Sequence, residues 1–208
     1  MTKIILFRHG QKQKIDSIYA EDKKSVGLKN LGIVQINKLG KYLATKFPSL
    51  ESSSIIYSSH FTRAIQSAEI VKSILKIKEI IVIPEFCEFI ASDNYKTSKN
   101  IRKHLQVMAI KNPDWISPVI KTSLNSVISK YINKIKDICQ ENPSDLILIS
   151  THGGIIRNTV YSINPELRPS DELIADAKIH EGGYTVLNFD GKNFTVDEFD
   201  VHDYLLLP

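Results

Sequence analysis

The sequence predicts an α/β protein with a largely parallel central sheet, and three observations carry that expectation. Apolar runs of strand length recur at residues 4–7, 55–57, 79–84 and 145–150. The segments between them carry apolar residues at helical spacing, and strands alternating with helices imply parallel pairing. Polar and ionisable residues follow directly on the ends of the runs, where open α/β sheets bind ligands. The 208 residues suffice for a sizeable core, and the expected organisation is one domain over residues 1–208.

The first run, Ile4-Ile5-Leu6-Phe7, is a short buried strand, far below membrane-spanning length. It leads straight into Arg8-His9-Gly10. A buried charge has to be paired, so arginine and histidine belong at the strand's carboxyl end. Gly10 permits a tight turn and close approach of the backbone to a ligand. Alone, an Arg-His-Gly tripeptide recurs by chance; its weight comes from the matching parts carried by the rest of the chain. Residues 11–29 are polar and read as a loop beside that strand end. Asn30 is the expected N-cap of a helix over 31–46, with Leu31, Val34, Leu39, Tyr42 and Leu43 as its apolar face.

Ile55-Ile56-Tyr57 is the second strand, followed by Ser58-Ser59-His60-Phe61-Thr62-Arg63 and a helix bearing Ala64, Ala68, Val71 and Leu75. Arg63 falls in the first turn of that helix, where the helix dipole mildly disfavours a cation. A bound anion would relieve the conflict; an arginine reaching into solvent explains the residue equally well. Residues 79–84 form a third strand closed by Pro84, with Glu85 and Glu88 after it. Residues 91–100 read as loop and 101–112 as helix. Ser117-Pro118 starts the next helix, whose apolar face runs from Ile120 to Cys139 before Asn142-Pro143 stops it.

Residues 145–150 are a fourth buried strand, and Thr151-His152-Gly153-Gly154 leads into another helix. Strand, glycine turn and helix in succession aim a helix N-terminus at the strand end, and such a terminus binds anions. Residues 170–179 are assigned a short helix. Tyr184 to Phe189 and Phe194 to Val196 form a hairpin around Asp190-Gly191. His180 and His202 read as surface or loop residues, and Leu205-Leu206-Leu207 as a tail docked on the core.

Composition narrows the classes. There are 27 Lys+Arg against 23 Asp+Glu, a net charge of +4, spread along the chain. This suits an anionic substrate but lacks the concentrated basic stripe of a nucleic-acid binder. Lys12 with Lys14, and Arg102-Lys103-His104, are the local clusters, and each reads as a solvated face. Cys87 and Cys139 have no metal-ligand or disulfide-framework spacing. No membrane span and no signal peptide is expected, which makes a reduced, cytoplasmic setting the expectation.

A parallel sheet gathers the loops at its carboxyl edge, so Arg8, His9, Arg63, Glu88 and His152 are expected to converge. Two arginines, two histidines and a carboxylic acid suit a phosphoryl group, with Arg8 holding it and His9 attacking it. Neighbouring arginines would keep His9 neutral and therefore nucleophilic.

The same blocks resemble the histidine phosphatase superfamily, also called phosphoglycerate mutase-like. Leu6-Phe7-Arg8-His9-Gly10-Gln11 is similar to the family's opening signature, and residues 27–35 resemble its next block. Tyr57 to Ala68 is similar to the block with the second arginine, and Ser150 to Arg157 to the second histidine block. Four blocks in family order cover nearly the whole chain. The resemblance implies a three-layer α/β/α fold with a mostly parallel central sheet. It implies that His9 becomes phosphohistidine, that Arg8, Arg63 and His152 bind the phosphoryl oxygens, and that a glutamate protonates the leaving alcohol. Pro84-Glu85-Phe86-Cys87-Glu88 resembles the family's apolar-x-Glu pattern, which favours Glu88 over Glu85.

Neither a metal nor another cofactor is expected, because the arginines supply the charge. The expected reaction is phosphomonoester hydrolysis on a phosphorylated metabolite or phosphoprotein, with no nucleic-acid or membrane partner. A phosphoglycerate-type mutase and a non-catalytic phospho-ligand binder are the alternatives. Mutases of the family usually carry an asparagine where Ile15 stands, and a glycine- and tryptophan-containing segment is common after the acid, where Phe89-Ile90-Ala91-Ser92 stands here. Both departures favour hydrolysis.

Overall fold

The computed structural model describes residues 1–14, 25–52, 55–88, 107–117, 122–142, 145–170 and 177–206. Ile15, the 89–92 segment and the 91–100 loop lie outside the described residues, as do 101–106, 118–121, 171–176 and Leu207. The strands are β1 (Thr2–Arg8), β2 (Ile55–Ser58), β3 (Glu79–Val82), β4 (Leu146–Thr151), β5 (Tyr184–Phe189) and β6 (Phe194–Val201). The helices that flank the sheet are α1 (Asn30–Lys46), α2 (Thr62–Leu75), α3 (Leu124–Glu141) and α4 (Gly153–Ile163), and among the described residues 107–111 are helical too.

The six strands form one sheet in the order β3-β2-β4-β1-β5-β6. The β3-β2-β4-β1 part is parallel, while β5 runs antiparallel to β1 and β6 antiparallel to β5. The sheet is therefore mixed and mostly parallel. Successive residues of a strand face opposite sides. Ile4 and Leu6 join Ile147, Ile149 and the buried faces of α3 and α4 in one core cluster. Ile5 and Phe7 join Leu148, Ile56 and residues of α1 and α2 in the other. Helices thus cover both faces, which is why β1 and β4 are apolar at consecutive positions. Among the described residues no helix is long and apolar enough to cross a membrane.

Several local expectations are corrected. Lys29, not Asn30, is the N-cap of α1, and no side chain caps it. Leu31 and Val34 are exposed, and the buried face is Gly32, Ile36, Leu39, Gly40 and Leu43. The reason is backbone packing: a Cβ on Gly32 would overlap the backbone of Gln11, and one on Gly40 would meet Ile74 Cδ1 at 2.7 Å. The helix seats on its glycines, a face that a count of large apolar residues overlooks. β3 stops at Val82, and a 3₁₀ turn, Pro84–Phe86, follows it. α3 starts at Leu124, not at Ser117-Pro118, because Ser123 is the residue whose side chain accepts from the Ser126 N–H. Residues 177–180 are not helical. Leu205 packs on the core, whereas Leu206 is exposed.

The Gly10 expectation also changes. A Cβ there would overlap the Gly32 carbonyl, so the close approach it permits is to α1. Gly32→Ala is expected to destabilise the protein. The overlap costs roughly 1–3 kcal/mol, which outweighs about 1 kcal/mol of helix propensity gained. Urea denaturation measures the balance, and a stabilised variant would contradict the tight seat.

Candidate active site

The strand order places three parallel strand ends side by side. Arg8 at the end of β1 pairs with Thr151 of β4, and Ser58 of β2 pairs with Ser150. His9 and His152 therefore leave adjacent strands at the same edge. Their rings meet edge to face with centroids 5.2 Å apart. Arg63, in the first turn of α2, reaches between them.

His9 is buried, and its two ring nitrogens are assigned by its partners. Arg63 Nε donates to His9 Nε2 at 2.9 Å. Guanidinium only donates, so Nε2 carries the lone pair. The proton is then on Nδ1, which donates to the Gly10 carbonyl at 2.8 Å. Burial, then Arg63 and Arg8, hold the imidazole well below its ordinary pKa, with the Gly10 carbonyl opposing. The ring is neutral and its lone pair faces the arginine.

His152 is the N-cap residue of α4 and is fully buried. Its Nδ1 lies 3.3 Å from Arg63 Nη2 and its Nε2 2.8 Å from Ser59 Oγ. By the same reasoning Nδ1 accepts and Nε2 donates to the serine. Burial pushes its pKa well down, with Arg63, His9 and Arg8 acting the same way. Arg63 is itself pushed down to about 10 by burial, while Glu88 opposes the shift and Arg8 adds to it. The Phe61 ring lies 4.6 Å from the Arg63 guanidinium carbon. A buried cation is stabilised by such a face.

Arg8 lies along the start of α4. A Cβ on Gly153 would stand 3.1 Å from Arg8 Cδ, so the glycine makes room for the side chain. Its guanidinium donates to the Ile179 carbonyl, and to Glu181 Oε1 at 3.3 Å. Burial lowers its pKa, opposed by Glu181, Glu88 and Asp200.

Glu88 follows the 3₁₀ turn and is half-buried, whereas Glu85 on that turn is exposed. The Glu88 carboxylate lies against the first turn of α4, where a Cβ on Gly154 would overlap it. A helix N-terminus is a favourable place for a carboxylate. Its field reaches Arg8, Arg63 and Arg157. Two contacts fix the turn. Thr151 Oγ1 donates to the Phe86 carbonyl at 2.8 Å, and the Phe86 ring packs edge-on against Tyr131 at 5.0 Å. The structure thus brings Arg8, His9, Arg63, Glu88 and His152 to one edge and leaves Glu85 outside.

Four contributors escaped the sequence reading. Ser59 holds His152, Phe61 backs Arg63, Glu181 holds Arg8, and Arg157 stands near Glu88 with its Nη1 donating to the Ala177 carbonyl at 2.5 Å. Ser59 and Phe61 lie inside the block that supplies Arg63, so proximity in sequence was a signal. Glu181 had none, since 173 positions separate it from Arg8.

The neutral histidines set an acid limit on stability. Both fold neutral and would bind protons on unfolding. Below about pH 6.5 the unfolded chain therefore holds more protons, and stability falls as pH drops. The expected loss is up to about 1.4 kcal/mol per pH unit for each ring. Urea midpoints at about pH 7.5, 6.5 and 5.5 check this. A midpoint that does not fall on acidification would mean the rings are protonated in the folded state.

Comparison with known proteins adds to this geometry. The sequence profile of the Histidine phosphatase superfamily (branch 1) matches residues 4–202. No curated protein sequence matches significantly. A mycobacterial glucosyl-3-phosphoglycerate phosphatase has TM-score 0.72 at 15% identity, covering 97% of this chain and 99% of that one. YhfR of Bacillus stearothermophilus has TM-score 0.73 at 21% identity, with 99% and 100% covered. A phosphoserine phosphatase mutant from Entamoeba histolytica, in complex with phosphoserine, has TM-score 0.70 at 20% identity, with 99% and 100% covered. Identities this low show a shared fold alone. The profile, however, spans the chain from β1 past β6 and contains every residue of the cluster: the protein belongs to the histidine phosphatase superfamily, branch 1.

Proposed function

We propose that the protein is a metal-independent phosphomonoesterase acting through phospho-His9. The observation that carries the reading is the His9 ring, neutral, with Nδ1 anchored on Gly10 and the Nε2 lone pair directed at Arg63. A phosphoryl group brought to Arg63 would meet that lone pair. In the first step Nε2 attacks phosphorus and the bond to the substrate's ester oxygen breaks. Glu88, protonated, gives its proton to the leaving oxygen. In the second step Glu88 takes a proton from water, which attacks the phosphohistidine, releases inorganic phosphate and restores Nε2.

Charge in such a transition state spreads over three equatorial oxygens. Arg8 and Arg63 supply donors to those oxygens, and His152, whose Nδ1 accepts from Arg63 and whose Nε2 donates to Ser59, fixes Arg63 beside His9. Their positions are set by Glu181, Phe61 and Ser59, so little reorganisation is needed. The cations are protein side chains, and no step requires a metal ion.

Phosphate release from an aryl phosphate, with and without a chelator, tests the reading. Release that survives the chelator is expected. Release lost with the chelator would overturn the metal-independent mechanism. No release would favour a mutase or a non-catalytic phospho-ligand binder. The substrate is a phosphorylated metabolite or phosphoprotein. The structural neighbours suggest glucosyl-3-phosphoglycerate and phosphoserine as the first compounds to screen.

A further inference from the structure

The site holds a carboxylate where the chemistry above calls for none. Glu181 Oε1 stands 3.3 Å from Arg8 Nη2, in an ion pair whose side chains are 21% (Arg8) and 25% (Glu181) exposed. A phosphoryl group is anionic, and Arg8 is one of the two arginines assigned to it. A carboxylate on that arginine offsets part of its charge and stands as a like charge beside an arriving anion. Among the acidic groups that act on Arg8, Glu181 acts most strongly, ahead of Glu88 and Asp200.

Placing Arg8 does not by itself account for the carboxylate. The Ile179 carbonyl already accepts from Arg8 Nη1, and the aliphatic part of the side chain lies against Gly153. A carbonyl orients a guanidinium without adding a negative charge. The backbone also fixes Glu181 from both sides. The Gly182 N–H donates to the His9 carbonyl at 3.3 Å, and the Arg8 N–H to the Gly183 carbonyl at 2.9 Å. Before it, the His180 N–H donates to Asp200 Oδ1 at 2.9 Å. Gly182 has φ of 81°, a conformation open to glycine, and turns the chain from Glu181 into β5. Arg8 keeps a donor for a phosphoryl oxygen all the same. Its Nε is buried and has no hydrogen-bond partner among the described residues, and such a donor is costly to leave unpaired. A guanidinium carries five N–H donors, so Arg8 can serve Glu181 and a phosphoryl oxygen together.

We propose that Glu181 sets the phosphate affinity of the site: its carboxylate shares Arg8 with the bound phosphoryl group and weakens the hold on inorganic phosphate, so that product leaves. The proposal rests on Arg8 being a phosphoryl-binding cation of the proposed reaction. Binding that is equally strong in the ground state and the transition state does not raise kcat. Two arginines around an anionic product favour its retention, and product release limits many enzymes. A like charge built in beside the anion counters that retention without moving either arginine.

Titration calorimetry of the whole chain with inorganic phosphate, on the wild type and on Glu181→Gln, tests the proposal. Glutamine keeps the size of the side chain and an oxygen that accepts from Arg8, and removes the charge. Phosphate is expected to bind the variant at least about tenfold more tightly. With an aryl phosphate, KM and the inhibition constant of phosphate should fall by a similar factor, without a rise in kcat. A thermal melt checks that the variant is folded. A role confined to holding Arg8 predicts the opposite sign, because a neutral amide is the weaker acceptor. Unchanged or weaker phosphate binding by the folded variant would overturn the proposal. So would absence of phosphate binding by both proteins, which would remove Arg8 as an anion site. Tighter phosphate binding by Glu181→Gln in a protein that hydrolyses no phosphate ester would support the proposal and fail the hydrolase reading alone.

Discussion

Replacing His9 by alanine is expected to lower phosphate release by at least about 10⁴-fold, the scale seen when a covalent nucleophile is removed. The nearest other imidazole is His152, which is held by Ser59 at the start of α4 and is not free to move to the place that His9 leaves. Arg63 only donates. The fold is expected to survive. Alanine leaves the Arg63 Nε donor without its partner, a penalty of about 1–3 kcal/mol, but it also removes a ring that is buried at the cost of staying neutral. The variant should therefore be less acid-sensitive than the wild type. Inorganic phosphate should still bind it through Arg8 and Arg63. Full phosphate release by the folded variant would end the phosphohistidine mechanism.

Glu88→Gln should separate substrates by their leaving groups. An alkyl alkoxide needs a proton as it departs and a nitrophenolate does not. We expect kcat/KM for an alkyl phosphate to fall roughly 10²–10⁴-fold, and that for a nitrophenyl phosphate to fall far less. This ratio reports the first chemical step, so slowed attack of water in the second does not obscure it. Glutamine keeps the volume packed against Gly154, which removes packing loss as an explanation. Glu85→Gln is the control. Glu85 is exposed on the turn, and its replacement should change neither substrate. Equal slowing of both substrates by Glu88→Gln would mean that Glu88 organises the arginines and another group supplies the proton.

Much of the site was legible because its signals are local. A run of four apolar residues ending in Arg8-His9 says that the polar pair lies at a strand end, whatever the rest of the chain does. Strand, Gly-Gly and helix around His152 say the same. Parallel pairing then brings those ends together, because parallel strands share one carboxyl edge. The less legible parts depend on contacts between distant segments. The apolar-x-Glu resemblance favours Glu88 over Glu85 but does not say which way either side chain faces. The Thr151 bond to Phe86 and the Tyr131 ring beneath it hold the turn so that Glu88 faces the arginines.

The alternation of short apolar runs with helical periodicity was enough to establish the α/β class, the parallel pairing and the residues waiting at the strand ends. These follow from hydrogen-bond geometry and burial within single segments. Packing between segments settled the rest. α1 seats on Gly32 and Gly40, which have no side chain to announce a buried face. Ser59, Glu181 and Phe61 hold the histidine and arginines from other segments. His180 and His202, read singly as surface residues, are stacked on each other by the left-handed turn at Asp200. A side chain's neighbours across the fold are set by how elements pack, and the pattern of one element carries no record of the other.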